Sequence, residues 1–337
     1  MYSSFYWFSV DKGTKNTEHF LYSRKTDLYM DLLQRNHQLL LKGINCTFLR
    51  YLHARIEWED RLIGIFGSRG VGKTTLLLQH IKLKFEDSRE ALYVNLDDFW
   101  FETHSLTDAV KEFLQAGGHY LFLDEIHFYS GWMEEVSTLL DANPALKIVF
   151  ATTSLYSQTE VRNGLRHEAA FYVMHPMSFR EFLSYESILD KDPIPLEDIL
   201  ANHHDLVKEI NAEMNIVPIY RNYLEHGCYP FYWQDPDMYY FRLQELVRKE
   251  ICRDLPSVVS ISMSNLERAQ KYFMMVAESA PLRPKSIDVT RKINMLRQQS
   301  DSLLRFFHDM RLIYYSADQL GTTPAKQKVL SLIHISE

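Results

Sequence analysis

One stretch of the chain constrains its fold more than any other: "IGIFGSRGVGKTTLLLQHIKLKF", residues 63–85. Its first four residues are an apolar run that predicts a buried parallel strand. "GSRGVGKT", residues 67–74, fits the pattern G-x-x-x-x-G-K-[ST], and apolar spacing from Leu76 to Phe85 predicts a helix after it. Strand, glycine-rich loop and helix in this order are the setting of a phosphate-binding loop. The sequence therefore predicts an α/β nucleotide-binding fold.

The loop residues suit a nucleotide with a divalent cation. Its glycines let the backbone curl, so that the amides of roughly residues 70–75 point at phosphates beside the positive end of the helix. We expect Lys73 to reach the β- and γ-phosphates and the Thr74 hydroxyl to ligate Mg²⁺. The predicted ligands are ATP and Mg²⁺. The predicted nucleotide-binding residues are Gly67, Ser68, Arg69, Gly70, Val71, Gly72, Lys73, Thr74 and Thr75.

A second motif is "HYLFLDEIH", residues 119–127, whose Asp124 lies 51 residues after Lys73. Its apolar part predicts a buried strand with two carboxylates at the carboxyl end, the edge where ligands bind in open α/β sheets. We expect Asp124 to hold the magnesium, directly or through water. We expect Glu125 to polarise the attacking water as general base.

Three further apolar runs predict strands at residues 91–98, 146–154 and 170–175, with a helix over 104–118. Five strands alternating with helices predict a three-layer αβα domain with a parallel sheet. Asp97 and Asp98 end the first of these runs. They are either polar groups supporting the nucleotide site or ordinary strand-end residues, and the sequence favours neither.

The region from Met30 to Val329 resembles prokaryotic AAA-type P-loop ATPases, a family usually known only as ATP-binding proteins. The resemblance rests on "GSRGVGKTTLL", "YVNLDD", "YLFLDEIH", "KIVFATTSL", "GLR" and "HPMSFREFL". It implies a strand order of 5-1-4-3-2. It also implies a sensor hydroxyl at Thr153, or at its neighbour Thr152, although family members often have "TGSS" where this chain has "ATTS".

The same resemblance matches Arg166, the arginine of "GLR", to a residue that acts as an arginine finger or sensor. Arg162 is the alternative. Both are otherwise surface arginines on a helix, because a finger usually acts across a subunit contact that a sequence cannot show. The catalytic set predicted from residues and resemblance together is Glu125, Lys73, Thr153 and Arg166.

Other P-loop classes fit less well. "DEIH" matches a helicase box, but the strand-helix alternation ends near residue 175 and leaves no room for a second RecA-like domain. A small-molecule kinase needs only one such domain, yet the Asp-Glu pair favours water activation and no arginine-rich lid follows. The main hypothesis is ATP hydrolysis that drives a conformational switch. The alternatives are a nucleotide-gated binding module with incidental turnover and, less favoured, the kinase.

The second half of the chain reads as helical and then as a winged helix. Ser178 and Glu181 predict a capping box where the chain leaves the ATPase core. We divide the chain into an ATPase core at 30–185, a helical linker at 186–262 and a winged-helix-like domain at 263–329. On the candidate recognition helix, the expected core residues are Leu303, Leu304 and Phe307, and the expected outward residues are Gln298, Gln299, Ser302 and Arg305.

Charge distribution allows DNA as a partner of that domain. Residues 281–312 hold seven Lys and Arg side chains against three Asp, a net charge of +4, in a chain of −7. The overall negative charge argues against a protein that coats nucleic acid over its whole surface. A protein partner or a homo-oligomer is the alternative, since winged helices also contact proteins.

Both chain ends are expected to be foreign to the fold. Residues 1–29 precede Met30, which we interpret as the natural start, with a non-native or disordered extension before it. "LSLIHISE", residues 330–337, resembles the translation of a transposase adaptor, so the natural chain is expected to continue past Val329. The three scattered cysteines and the lack of a long apolar run predict a cytoplasmic protein without a membrane segment.

Overall fold

The computed structural model describes residues 15–85, 89–189, 191–278, 291–316 and 328–331. At its centre is a five-stranded parallel sheet in the order β2-β3-β4-β1-β5. This is the expected order 5-1-4-3-2 read from the opposite edge, and it confirms the predicted fold class. The strands are β1 (Leu62–Phe66), β2 (Ala91–Asn95), β3 (Tyr120–Asp124), β4 (Lys147–Thr152) and β5 (Ala170–Val173).

Both faces of the sheet are covered by helices, so the middle residues of its strands are apolar on both sides. Alternate residues of β1 show the two sides: Leu62 and Phe66 belong to one apolar core, Ile63 and Ile65 to another. The helices of this region are α1 (Lys15–Gly43), α2 (Tyr51–Arg55), α3 (Lys73–Lys84), α4 (Leu106–Gln115), α5 (Trp132–Ala142), α6 (Gln158–Gly164) and α7 (Phe179–Tyr185). Short 3₁₀ turns lie at Phe99–Glu102 and Ile126–Phe128.

Helix α1 runs unbroken through Met30, which is therefore not an element boundary. Tyr29, Met30 and Leu33 are buried in the core formed with α4 and α5. The Tyr29 ring stacks on Trp100, with centroids 3.9 Å apart. Residues 15–29 are thus helical in the structure, whereas the origin of residues 1–29 stays a prediction.

The chain enters its second half through the predicted capping box, in which Ser178 and Glu181 bond each other's backbone. The helices that follow are α8 (Leu196–Glu213), α9 (Ile216–Asn222), α10 (Tyr239–Lys249), α11 (Leu255–Val258), α12 (Met263–Ala277) and α13 (Arg297–Asp309). Tighter or wider turns lie at Tyr223–Gly227, Pro230–Gln234 and Glu250–Asp254. The last of these, a π-helical turn, continues α10 directly into α11.

A third apolar core lies in the C-terminal region and joins α11, α12 and α13. It contains the three residues expected to face inward on α13, namely Leu303, Leu304 and Phe307. After α13, β6 (Ile313–Ser316) pairs antiparallel with β7 (Lys328–Ser331), so two residues of the expected foreign tail lie in a strand. Residues 279–290, with Arg283 and Lys285 of the basic segment, are outside the described ranges.

Among the residues that the structure describes, no helix combines the length and the apolar character that crossing a bilayer requires. Cys46, Cys228 and Cys252 are free thiols.

Candidate active site

The loop between β1 and α3 turns sharply at its glycines. Gly70 and Gly72 have φ of +82° and +101°, a region that side-chain-bearing residues rarely adopt. Gly67 is fixed by a close approach, because a Cβ there would lie 2.6 Å from the backbone oxygen of Met174. Its amide donates to the Thr152 carbonyl at 3.2 Å, which anchors the loop to β4.

Lys73 begins α3 and is almost fully buried, at 6% exposure. Its ammonium donates to the Gly67 and Ser68 carbonyls at 2.7 and 3.0 Å. The side chain is thus folded back over the loop, which places its positive charge beside the loop backbone at Gly67 and Ser68.

Asp124 ends β3 and faces the loop. Its Oδ2 accepts hydrogen bonds from Thr74 Oγ1 at 2.5 Å and from Tyr93 Oη at 2.8 Å. The carboxylate is 1% exposed, and burial together with the charge of Glu125 raises its pKa. Thr74 and Asp124, 50 residues apart in sequence, therefore form the adjacent pair of oxygen groups expected for Mg²⁺.

Glu125 follows directly in a left-handed backbone conformation, with φ of +52°. Such a conformation costs a non-glycine residue roughly 1–2 kcal/mol and is commonly retained at functional positions. Its carboxylate lies 3.6 Å from the Arg69 guanidinium and 3.5 Å from His127 Nε2. The predicted general base is thus held beside the loop by two basic side chains.

Arg69 and His127 both also approach Asp254, which belongs to the π-helical turn after α10. Arg69 makes two hydrogen bonds to the Asp254 carboxylate, at 2.6 and 3.0 Å, and His127 Nε2 lies 3.9 Å away. Burial would raise the pKa of Asp254, but its contacts with His127 and Arg69 outweigh burial and lower it. Asp254 is therefore an ionised partner of the loop.

Glu250, one turn earlier, touches the loop backbone itself. Its Oε1 accepts from the Arg69 amide at 2.6 Å, and the residue is 1% exposed. Burial and the charge of Asp254 raise the pKa of Glu250 to about 8, against the opposing effects of the Arg69 amide, Lys73 and the Arg69 guanidinium.

The candidate sensor hydroxyls lie where β4 meets the loop strand. Thr152 pairs in register with Phe66, and Thr153 comes next; both are buried. Ala151 belongs to the apolar core on the α3 side of the sheet. Because successive side chains of an extended strand point to opposite faces, Thr153 faces the same side as Ala151 and Thr152 faces the opposite side. The alternation therefore favours Thr153 over Thr152 as the hydroxyl on the side of the loop.

The two candidate arginines lie in different surroundings. Arg166 is exposed and pairs with Glu134 and Asp141 of α5, at 2.5 and 2.8 Å. The Arg162 guanidinium lies over the Phe171 ring, 5.3 Å from its centroid. Each arginine is thus engaged with surface partners other than the side chains around Lys73.

The two aspartates after β2, Asp97 and Asp98, have different partners in the structure. Asp98 accepts a hydrogen bond from the Trp100 amide at 3.0 Å and caps the short turn that follows, which is a structural task. Asp97 pairs with Arg253 of the π-helical turn. Asp97 therefore lies at the border between the sheet edge and the C-terminal region.

Arg50 holds the loop from the other side, although nothing in its sequence context marks it as a site residue. It pairs with Glu181 at 2.7 Å and donates to the carbonyls of Val71 and His175, both at 2.7 Å. Burial would raise the pKa of Glu181, but the Arg50 contacts and backbone hydrogen bonds lower it. One buried guanidinium thus joins the loop, the end of β5 and α7.

These groups suit ATP and Mg²⁺. The glycine at 67 lets the loop pack against the Met174 backbone, Lys73 supplies a buried cation, and Thr74 and Asp124 supply hard oxygen ligands. Ser68 adds a buried hydroxyl without a hydrogen-bond partner among the described residues.

Comparison with known proteins gives one family match. Residues 59–183 match a family model described as an AAA domain. No curated protein matches the chain significantly. Similar solved structures include AMPPCP-bound DnaA from Aquifex aeolicus, at 15% identity and a TM-score of 0.30, covering 76% of this chain and 84% of that one. Drosophila ORC bound to DNA is another, at 12% identity and a TM-score of 0.32, covering 82% and 87%.

The family match stands on its own, and it spans the loop, β3 with its two carboxylates and the whole sheet. Residues 59–183 form an AAA-type P-loop domain.

Proposed function

We propose that the chain binds ATP with Mg²⁺ and hydrolyses it to ADP and phosphate. The observation that carries this proposal is the hydrogen bond between Thr74 and Asp124 beside the buried Lys73. It brings together, at the carboxyl edge of one sheet, the three side chains that a nucleotide and its metal require. The AAA match supports ATP binding and hydrolysis at the level of the family.

Each group has a distinct task in binding. The amides of roughly residues 70–75 and the Lys73 ammonium hold the phosphates. Thr74 and Asp124 would hold Mg²⁺. When bound, the cation would neutralise part of the negative charge of the phosphates. Tyr93 keeps the Asp124 carboxylate turned towards Thr74 through its own hydrogen bond.

Glu125 acts on the water. It accepts a proton from a water molecule as the water oxygen bonds to the γ-phosphorus and the bond to the bridging oxygen breaks, which releases ADP. Arg69 and His127 hold the carboxylate in place from two sides. Thr153 aligns the water from β4.

Arg166 is assigned the role of an arginine finger that acts on a neighbouring copy of the chain. Its exposure supports this role, because a residue that reaches across a subunit contact must lie on the surface. Its pairs with Glu134 and Asp141 are solvent-exposed and cost little to break. In this proposal the working form is a homo-oligomer in the cytoplasm.

DNA is the proposed target of the C-terminal region. Helices α12 and α13 followed by the β6–β7 ribbon are the elements expected of a winged helix. Gln298 and Gln299 are exposed at the start of α13, and Arg305 is exposed further along it. The two glutamines line a groove of about 290 Å³ beside the segment 259–261.

The hydrolysis proposal is tested with a matched pair of variants in the full chain. Glu125→Gln should reduce Mg²⁺-dependent phosphate release by about 10²-fold or more while ATP still binds, since a general base contributes at least that much. Glu168→Gln removes an exposed carboxylate of the same domain and should leave the rate unchanged. Equal rates in the two variants would refute the role of Glu125.

Double-stranded DNA added to the same assay tests the target. Stimulation that disappears in Lys73→Ala would link DNA binding to the nucleotide site. Hydrolysis that DNA leaves unchanged would favour a protein partner, and tight ATP binding without turnover would favour a nucleotide-gated binding module.

A further inference from the structure

The π-helical turn Glu250–Asp254, with the end of α10 before it, lies directly on the nucleotide loop. Leu246 packs on Gly70 so closely that a Cβ at this glycine would lie 2.4 Å from Leu246 Cδ1. Glu250 accepts from the Arg69 amide at 2.6 Å, and Asp254 holds the Arg69 guanidinium in two hydrogen bonds. One short segment therefore contacts the loop by an apolar side chain and two carboxylates.

The same turn also reaches the other two sides of the site. Arg253 pairs with Asp97 after β2, and its guanidinium lies over the Phe128 ring, 4.7 Å from the centroid. Asp254 lies 3.9 Å from His127, just past the predicted general base. The turn thus bridges the loop, the end of β2 and the segment after β3.

Glu250 makes the contact that a phosphate would make. The backbone amides of a phosphate-binding loop donate hydrogen bonds to anionic oxygens. The oxygen of a carboxyl group can accept such a hydrogen bond in place of a phosphate oxygen. Glu250 lies within the field of Lys73 as well as of Arg69. A phosphate entering the loop would meet this buried carboxyl group and the neighbouring carboxylate of Asp254.

We propose that Glu250–Asp254 is an intramolecular plug of the nucleotide loop, which ATP must displace in order to bind. The proposal rests on the assignment of residues 67–75 as the ATP-binding loop. The Arg69 amide that Glu250 holds directly precedes the amides of roughly residues 70–75 expected to face the phosphates, so Glu250 and a bound phosphate compete for the same part of the loop. Displacement frees Arg69 and His127 from Asp254 and leaves them to Glu125 and the phosphates.

The plug connects nucleotide binding to the C-terminal region through its opposite face. Ile251, within the turn, and Leu255, just after it, are buried in the third apolar core with α12 and α13. A turn that leaves the loop must therefore carry that core with it or unpack from it. Because coupling is reciprocal, a ligand that holds the C-terminal region in its displaced position should strengthen ATP binding.

ATP binding by charge-removal variants of the full chain tests the plug. Glu250→Ala removes the contact with the Arg69 amide and should tighten Mg²⁺–ATP binding about tenfold, the effect of losing one competing hydrogen bond. Glu245→Ala, on the same helix but paired only with Arg248 in the described structure, should leave the dissociation constant unchanged. Unchanged or weaker binding by a folded Glu250→Ala protein would overturn the proposal.

Hydrogen exchange of the wild-type chain gives a second test that needs no variant. Saturating Mg²⁺–ATP should lower the protection of amides in residues 250–258, whereas unchanged or increased protection would overturn the plug. The two proposals fail differently. A wild-type chain that binds ATP with no response at Glu250 or in 250–258 refutes only the plug, and failure of both wild type and Glu250→Ala to bind ATP refutes the nucleotide site and the plug together.

Discussion

Tyr93 Oη donates a hydrogen bond at 2.8 Å to Oδ2 of Asp124, the same oxygen that accepts from Thr74. The phenol is buried, and burial together with the negative charge of Asp124 raises its pKa, so the hydroxyl stays protonated and remains a donor. A tyrosine in the middle of β2 thereby orients the carboxylate proposed to hold Mg²⁺.

Tyr93→Phe should weaken Mg²⁺ binding more than ATP binding. Loss of an outer partner of a metal ligand typically costs about 10-fold in metal affinity, while the phenyl ring keeps the packing of β2. The measurement is the Mg²⁺ concentration at half-maximal hydrolysis. Tyr120→Phe removes a hydroxyl from the neighbouring strand outside the site and should not change it.

Gly67→Ala should destabilise the protein by about 1–3 kcal/mol, because its Cβ would meet the backbone oxygen of Met174, which cannot rotate away. Thermal or urea unfolding of the full chain measures this change in the free energy of unfolding. Gly43→Ala is the control, since its Cβ would meet nothing within 4 Å. Equal stability of the two variants would show that the loop can move away from β5.

Arg50→Ala should cost about 3–5 kcal/mol of stability, because it leaves the Glu181 carboxylate buried without its cation. Urea unfolding of Arg50→Ala and of Arg55→Ala, an exposed arginine of α2, measures the difference. The double variant Arg50→Ala, Glu181→Gln should recover part of the loss. Full additivity of the two substitutions would contradict a direct pairing.

Stability should depend on pH through Glu250. Its pKa is raised from 4.5 to about 8 in the folded chain, so its contribution is complete below 4.5 and is lost as pH rises towards 8. Glu250→Gln imitates the protonated form, and its melting temperature should exceed that of the wild type at about pH 8 but not at about pH 5. A gain of about 1 kcal/mol corresponds to roughly 2–4 °C. Glu245→Gln should show no such trend, and parallel pH profiles for Glu250→Gln and wild type would contradict the raised pKa.

The sheet was predictable from the sequence because its signals are local. Each strand is an apolar run bounded by polar or glycine residues, and the motif around Lys73 fixes its own loop geometry. The pairing of Thr74 with Asp124 followed from placing both at the carboxyl edge of the sheet. The structure confirms the fold class, whereas the chemical roles of these residues stay predictions.

The contacts that the sequence did not reveal are made across long separations. Arg50 and Glu181 are 131 residues apart, and Arg69 and Glu250 are 181 apart. From the sequence alone, an arginine in a loop or a glutamate at a helix end is expected to be solvated. Only the tertiary packing shows that it is buried. His127 of "DEIH" lies two residues after the predicted general base Glu125, and an ionisable side chain at that position is a signal that could have identified it. The end of the chain after Val329 and the origin of residues 1–29 stay predictions.

The most direct test of the central claim is calorimetric titration of the full chain with ATP in the presence of Mg²⁺. The wild-type chain should bind one ATP per nucleotide loop, and Lys73→Ala should lose about tenfold or more in affinity because a charge-assisted contact with the phosphates is gone. Lys111→Ala, an exposed lysine of α4, should bind as the wild type does. Equal affinity in wild type and Lys73→Ala, or no binding by the wild-type chain, would contradict the assignment of residues 67–75 as the ATP-binding loop.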